Sequence, residues 1–465
     1  MKKRSAGSTS KIIQHSRWEG IEEVRGDMDL LRDYSYHKES KCENKWKEMK
    51  IMKKLSGVIM AALMVAVLAL PALSQEVQKP PIMLKASEVL PQNLSAGPNY
   101  KVAEAVVNDG LVNTYQLETK YGPLTVESTG LLLIRINELR AIDRMEQLKG
   151  SDVYKDALIK SAVAPLKTVE GLVTAPVETT SAVVSGIGRW FGDVGRSITS
   201  DDPHQAGVLK TATGYASAKR AFAYELGVDP YSSYQPLQKA LDEVAQTAGL
   251  GGLTVKVAFA AIPGGVGTVI STSGTAEGMR SLVRDKSPAE LEKINAEKLK
   301  EMGIPEALAK VFLKNPNYDP QEKTALVGEL ATMSKVKDRA AFITAASLAN
   351  QETVAIFMRL RAQLMALYSS NKGSVERFVE ADGAPLLFTS QGTVVGIFPF
   401  DYVAWTPLID MKEMAVSEAI KKMPGVKGKE LWIGGTIDPK ARKALEARGW
   451  AVVEKLEENL LRRSL

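Results

Sequence analysis

A mainly helical α+β fold is what this 465-residue chain predicts, on three observations. Short apolar runs separated by turn residues fill two regions, 100–126 and 385–453. Between them, over 151–372, apolar residues recur at three- and four-residue spacing, the period of helices with one buried face. Gly and Pro stand at the ends of those periodic stretches, where they stop and start helices. The expected architecture is a small N-terminal β element, a large helical middle domain and a C-terminal β-α-β unit.

Taken in order, residues 1–48 are polar and charged, with no clear period, and read as a non-native upstream extension or a disordered tail. Residues 49–74 read as a signal peptide. Lys53 and Lys54 precede an apolar run over 55–70, Pro71 ends it, and small residues Ala72 and Ser74 sit at the −3 and −1 positions of a cleavage site. Residues 75–99 are proline-dotted and predict an extended linker. At 100–150 two β-like runs flank Asn108-Asp109-Gly110, and Leu132, Ile136, Leu139, Ile142 and Met145 then follow a helical period. The helical domain, 151–372, predicts about eight helices by this spacing. Ser287-Pro288-Ala289-Glu290 and Asp319-Pro320-Gln321-Glu322 carry capping signatures, and Gly227 and Gly303 mark stops. The helix at 351–368 is expected to bury Val354, Phe357, Leu360, Leu364 and Leu367. In the C-terminal domain, 380–465, strands are expected at 385–389, 393–398, 430–433 and 450–453. A helix at 412–423 and a second one, started by Asp438-Pro439 and stopped by Gly449, lie between them.

The leader decides the compartment and the available chemistry. It predicts a periplasmic or secreted protein, the alternative being a chain held in the inner membrane by a single N-terminal span, since about 16–20 apolar residues is borderline for crossing. Residues 1–74 carry 14 Lys and Arg against 9 Asp and Glu, so nearly all of the net charge of +6 resides there. The remainder is close to neutral and offers no nucleic-acid footprint. Cys42, the only cysteine, and His15 and His37 also lie upstream, leaving His204 as the sole imidazole. Thiol catalysis and ordinary zinc or iron sites are thereby excluded from the mature chain, and no cofactor is expected.

The strongest candidate for contact with a partner is 164–198. Leu172, Val173, Val177, Val184, Ile187, Trp190 and Phe191 belong to an apolar stripe in which Leu172, Val183 and Val194 step by eleven residues. That period keeps one face straight along a long helix. Over about 35 residues the pattern resembles the eleven-residue amphipathic segments of apolipoprotein-like and lipid-droplet coat proteins, which implies a helix lying in a bilayer interface with Trp190 and Phe191 as anchors. Pro165, Pro176 and the low lysine content favour instead a helix packed on its neighbours. Tyr231 and Tyr234, between Pro230 and Pro236, offer flat contact surface of the kind interfaces use. Residues 249–278, apolar and Gly-rich around Pro263-Gly264-Gly265, predict a buried hairpin.

Catalytic patterns are thin. His204 follows Asp201-Asp202-Pro203, and Ser334 with Lys335 and Lys337, or Ser369 and Ser370 with Lys372, give Ser–Lys pairings with no accompanying Lys-Thr-Gly. Asp401, Tyr402 and Trp405 suggest a sugar platform, although the neighbouring Phe398-Pro399-Phe400 suggests core. The expectation is therefore a non-enzymatic exported protein, associated with the cell envelope and meeting a membrane surface or protein partner. The alternative is an envelope hydrolase using paired carboxylates or a Ser–Lys pair.

Overall fold

In the segment expected to be a linker, the chain already begins its first sheet. Strand β1 (Ile82–Lys85) leads through the single-turn helices α1 (Ala86–Val89) and α2 (Gln92–Ser95) to β2 (Ala96–Gly97), and Ala86 and Leu90 are buried. The proline-dotted composition concealed these because each element is only two to four residues long. The structure, a computed structural model, describes residues 78, 81–163, 205–249, 253–260, 274–456 and 458. All of these fall within the unit Val77–Leu465.

β3 (Tyr100–Val102), β4 (Ala105–Asn108), β5 (Asn113–Thr119) and β6 (Gly122–Glu127) complete the N-terminal sheet. β5 is its centre: β6 runs antiparallel along one edge, and β4 and β3 share the other. Alternate residues Asn113, Tyr115 and Leu117 point inward, as a half-buried sheet requires. Helix α3 (Thr129–Gly150) packs Leu132, Ile136 and Leu139 on Tyr115, Leu117 and Val126. One turn further on, its Ile142 and Met145 enter a second cluster with Phe222, Leu237, Leu241 and Val244. The predicted face of this helix is thus buried along its whole length, half under the sheet and half under other helices.

The described part of 151–372 contains ten helices, two more than the spacing predicts. They are α4 (Asp152–Val163), α5 (Gln205–Leu226), α6 (Gln235–Gly249), α7 (Val255–Ala260), α8 (Gly274–Asp285), α9 (Pro288–Glu301), α10 (Glu306–Leu313), α11 (Pro320–Thr332), α12 (Ala340–Ser347) and α13 (Glu352–Lys372). Ser287 forms a reciprocal capping box with Glu290, and Asp319 accepts from the Glu322 N–H at 2.8 Å. Along α13 the expected face is only partly right. Leu364 is buried, whereas Val354, Phe357, Leu360 and Leu367 are half-buried, and the deepest positions include Ala355, Ala362, Met365 and Tyr368. The helix has neighbours on several sides, so no single stripe describes it. Among the described residues no helix is long and apolar enough to cross a membrane.

β7 (Val375–Ala381) falls where the sequence analysis left a gap, and it pairs with β8 (Ala384–Thr389), which pairs in turn with β9 (Thr393–Phe398). After β10 (Tyr402–Val403), helix α14 (Pro407–Lys421) leads to β11 (Gly428–Ile433), parallel to β9. β12 (Thr436–Ile437), α15 (Pro439–Ala447) and β13 (Trp450–Val453) follow, with β13 parallel to β11. The expected β-α-β unit is therefore one of two that share β11. One apolar cluster runs from Phe312, Leu330 and Phe342 through Met365 and Tyr368 to Leu387, Val395 and Trp432, so α13 joins the helical layer to the C-terminal sheet.

Candidate functional site

The chemistry-bearing side chains gather where four elements meet: α3, the loop between α5 and α6, the start of α11, and α13. Gly227, at φ +70°, stops α5 as predicted, and Asp229 then accepts the Tyr231 N–H at 2.7 Å. Across from it stands Asp319, the N-cap of α11. The two carboxyl groups line one cavity and lie within each other's field and hydrogen-bonding reach, an arrangement in which a proton between them removes the like-charge repulsion.

Guanidinium groups flank this pair. Arg359 on α13 donates to Glu322 at 2.8 Å and to Gln363 at 3.2 Å. Arg135 on α3 donates to Glu138 at 2.8 Å, to Ser232 at 3.2 Å, to Ser233 at 3.1 Å and to Glu352 at 3.2 Å. A cavity of ≈ 110 Å³ lies among these groups, and Asp229, Asp319, Glu322, Glu138, Arg135 and Arg359 line it. Five carboxyl groups, Glu352 included, thus face two guanidinium groups.

Burial sets the proton affinities. It raises Asp229 well above the ordinary carboxylate range, and the adjacent Asp319 charge adds to this. Asp319 is pushed up to about 6, by burial first and by Glu322 second. Glu138 is raised by burial even though Arg135 pulls the other way. Paired carboxyls with such values can transfer protons. The cavity is nevertheless well below the roughly 300 Å³ at which small-molecule sites begin.

A Ser–Lys pair does form, but it is not one of those the sequence nominated. Lys429 on β11 donates to Ser417 on α14 at 2.7 Å, and Ser417 bonds Glu413. Glu413 also accepts from Trp450 at 2.8 Å and from Arg448 at 2.6 Å. Burial acts to raise Glu413, but these donors outweigh it and leave it below its ordinary value. Lys429 donates where a nucleophile's base would have to accept, and Glu413 is too well satisfied to take the serine proton. The arrangement ties α14 to the sheet. Ser334, Lys335 and Lys337 are exposed, the Ser370 hydroxyl is held by the Leu367 carbonyl at 2.9 Å, and Lys372 lies 5.3 Å from the centre of the Trp432 ring.

The nominated contact residues divide into two groups. Leu172, Val173, Val177, Val184, Ile187, Trp190 and Phe191 lie outside the described residues, as does His204. Tyr231 and Tyr234 are half-buried. Tyr231 lies in the field of Arg220, and Tyr234 lies under Arg135, its ring centre 5.5 Å from the guanidinium, so Tyr234 packs against the polar cluster. Trp405 is 2 % exposed, which removes it as a sugar platform and makes it core. Of the 249–278 stretch, Leu253 and Ala258 are buried against the α5–α6 cluster, and most of the remainder lies outside the described residues. No family model, curated protein or solved structure matches the chain.

Asp229, Asp319 and Arg359 are not legible as a group in the sequence because their spacing carries no local pattern. The one available signal was Asp319, named as a cap.

Proposed function

We propose that this is an exported, envelope-associated protein that acts by contact with a membrane surface or protein partner and not by catalysis. The observation that carries the reading is the leader: a lysine pair, an apolar core over 55–70 and small residues at Ala72 and Ser74. The Arg135 and Arg359 contacts join α3 and α11 to α13.

Expression of the full chain in a bacterium, with mass spectrometry of the purified N-terminus, tests export. A mature chain beginning near Gln75 in the extracytoplasmic fraction is the expected result. Retention of 53–70 in the membrane fraction would favour the anchored form, and an intact leader on soluble cytosolic protein would end the proposal. Flotation of the mature protein with phosphatidylglycerol vesicles, with and without 164–198, tests membrane contact. Flotation that needs the segment is expected, and equal flotation would leave that stripe as packing.

One observation favours the envelope-hydrolase reading, namely the direct contact of Asp229 and Asp319 beside a cavity. Peptide, ester or glycan hydrolysis that disappears in Asp229→Asn while the fold persists would establish it.

A further inference from the structure

Three charged clusters stand apart from ordinary core: the Glu413–Arg448–Asp410 network, the Asp401 contacts and the Asp229–Asp319 pair. The first is satisfied by its own donors, and the second fastens two sheets. The third joins the 227–234 loop to the start of α11, beside a cavity and with more carboxyl groups than cations around it.

The loop over 227–234 is held at its base, where Asn137 donates to the Gly227 carbonyl at 2.6 Å. Further along, Ser232 and Ser233 bond Glu138, Arg135 and Glu352. Toward α11 the loop reaches through the Asp229–Asp319 carboxyl contact. Asp229 Oδ1 accepts the Tyr231 N–H. Asp319 in turn accepts the Glu322 N–H that starts α11. The bond between loop and helix therefore exists only while a proton is present.

We propose that this contact is a proton-operated latch: Asp229 clasps Asp319 through a shared proton, and loss of that proton releases the 227–234 loop from the first turn of α11 at the edge of the cavity.

Each surrounding element supplies a charge that bears on the latch. Arg220 of α5 faces Tyr231. Arg135 and Glu138 of α3 lie across the cavity, and Glu352 and Arg359 of α13 close its side. On α11 itself, Glu322 repels Asp319 while Lys323 attracts it. Arg359 hydrogen-bonds Glu322 while its field also reaches Asp229 and Asp319, so two ionised aspartates in contact would share that one cation with Glu322.

The sign follows from linkage. Both aspartates bind protons more tightly when closed than when free, so closure is favoured below the ordinary carboxylate range and weakens as pH rises through the closed-state values. For Asp319 that value is about 6, while Asp229 is held higher by its burial.

Amide hydrogen exchange of the full chain, read by mass spectrometry on peptides covering 227–234 and 319–326, tests this. The readout is the protection factor, from which the intrinsic pH dependence of exchange has been removed. In wild type, protection should fall by about tenfold per pH unit between pH 5 and pH 7, the slope that release of one proton produces. Asp229→Asn keeps an N–H donor toward Asp319 at every pH, so its fall should be smaller by at least tenfold over that interval. Asp319→Asn gives the same readout should Asp229→Asn not fold. Wild-type protection that does not change between pH 5 and pH 7, or equal falls in wild type and variant, would overturn the latch. Neither outcome touches the export proposal, which rests on the leader.

Discussion

Asp401→Ala is expected to lower the unfolding free energy by about 2–6 kcal/mol, at the cost of about 1–3 kcal/mol for each of two partly buried backbone N–H groups left without an acceptor. Asp401 lies in the loop between β9 and β10. Its carboxyl accepts the Asn113 N–H at 2.8 Å, where β5 begins, and the Thr129 N–H at 3.0 and 3.1 Å, where α3 begins. Ser128 caps the same helix but serves only the Leu131 N–H, at 3.2 Å, so a residue 272 positions away satisfies the first turn. Backbone bonds reinforce the seam: Asp401 N to Leu111 O and Ala404 N to Gly110 O, both 3.0 Å, and Thr436 N to Asp401 O at 3.0 Å. Two glycines permit the approach. Gly110 has φ +109°, and a Cβ at Gly435 would lie 1.9 Å from the Asp401 carbonyl oxygen.

Burial raises Asp401 to about 6, against the backbone N–H groups that favour its charge. A raised carboxyl contributes stability that is present below the ordinary value and lost as pH rises through the folded one. Wild type should therefore lose stability between pH 4 and pH 7 through this group. Asp401→Asn, which still accepts but cannot ionise, should lose about 1 kcal/mol and show a flatter pH profile. Urea midpoints at pH 4.5 and 7.5 for the three proteins decide it. A loss below about 1 kcal/mol in Asp401→Ala, or equal losses in the two variants, would mean that the seam holds without this side chain.

The contrast between what the sequence did and did not reveal follows from the range of each interaction. Ser287, Asp319, Asp438, Gly227 and Gly449 act within a few residues of themselves, and each occupies the cap or stop that its neighbours predicted. The β11–α15–β13 unit was visible for the same reason. β7 was missed, although Val375, Phe378 and Ala381 are buried: they are three residues apart and the strand carries a register shift near Val375, so the two-residue alternation is broken. Arg361 shows the limit most clearly. It looks like a surface residue of a helix, yet it is 3 % exposed, donating to the Ile397 carbonyl at 2.8 Å and to the Pro385 carbonyl, 4.0 Å from the Phe398 ring centre. Nothing within one turn of α13 announces that. The polar cluster has the same character, since its members come from α3, the 227–234 loop, α11 and α13.

Arg359→Ala should be the most damaging single change within that cluster, costing about 3–5 kcal/mol, because removing one partner of a buried pair leaves the other charge uncompensated. Its side chain is 15 % exposed and that of its partner Glu322 is 10 % exposed, so solvent screens the pair weakly. The loss should also depend on pH. Asp229 and Asp319 lie within the field of Arg359. Glu329 is raised to about 7, by burial first and with Arg359 opposing. Without the guanidinium, carboxyl groups around it are driven further upward, so the folded state becomes less able to tolerate their ionised forms. By the same linkage the penalty is smallest near pH 5, where protons replace the missing cation, and grows toward pH 8. Arg359→Met with Glu322→Gln removes both charges while keeping much of the volume, and it should recover most of the stability lost by Arg359→Ala. Unfolding free energies of the single and double variants at pH 5 and pH 8 provide the check. An Arg359→Ala penalty that is equal at the two pH values, or a double variant as unstable as the single one, would show that Arg359 contributes packing and not charge.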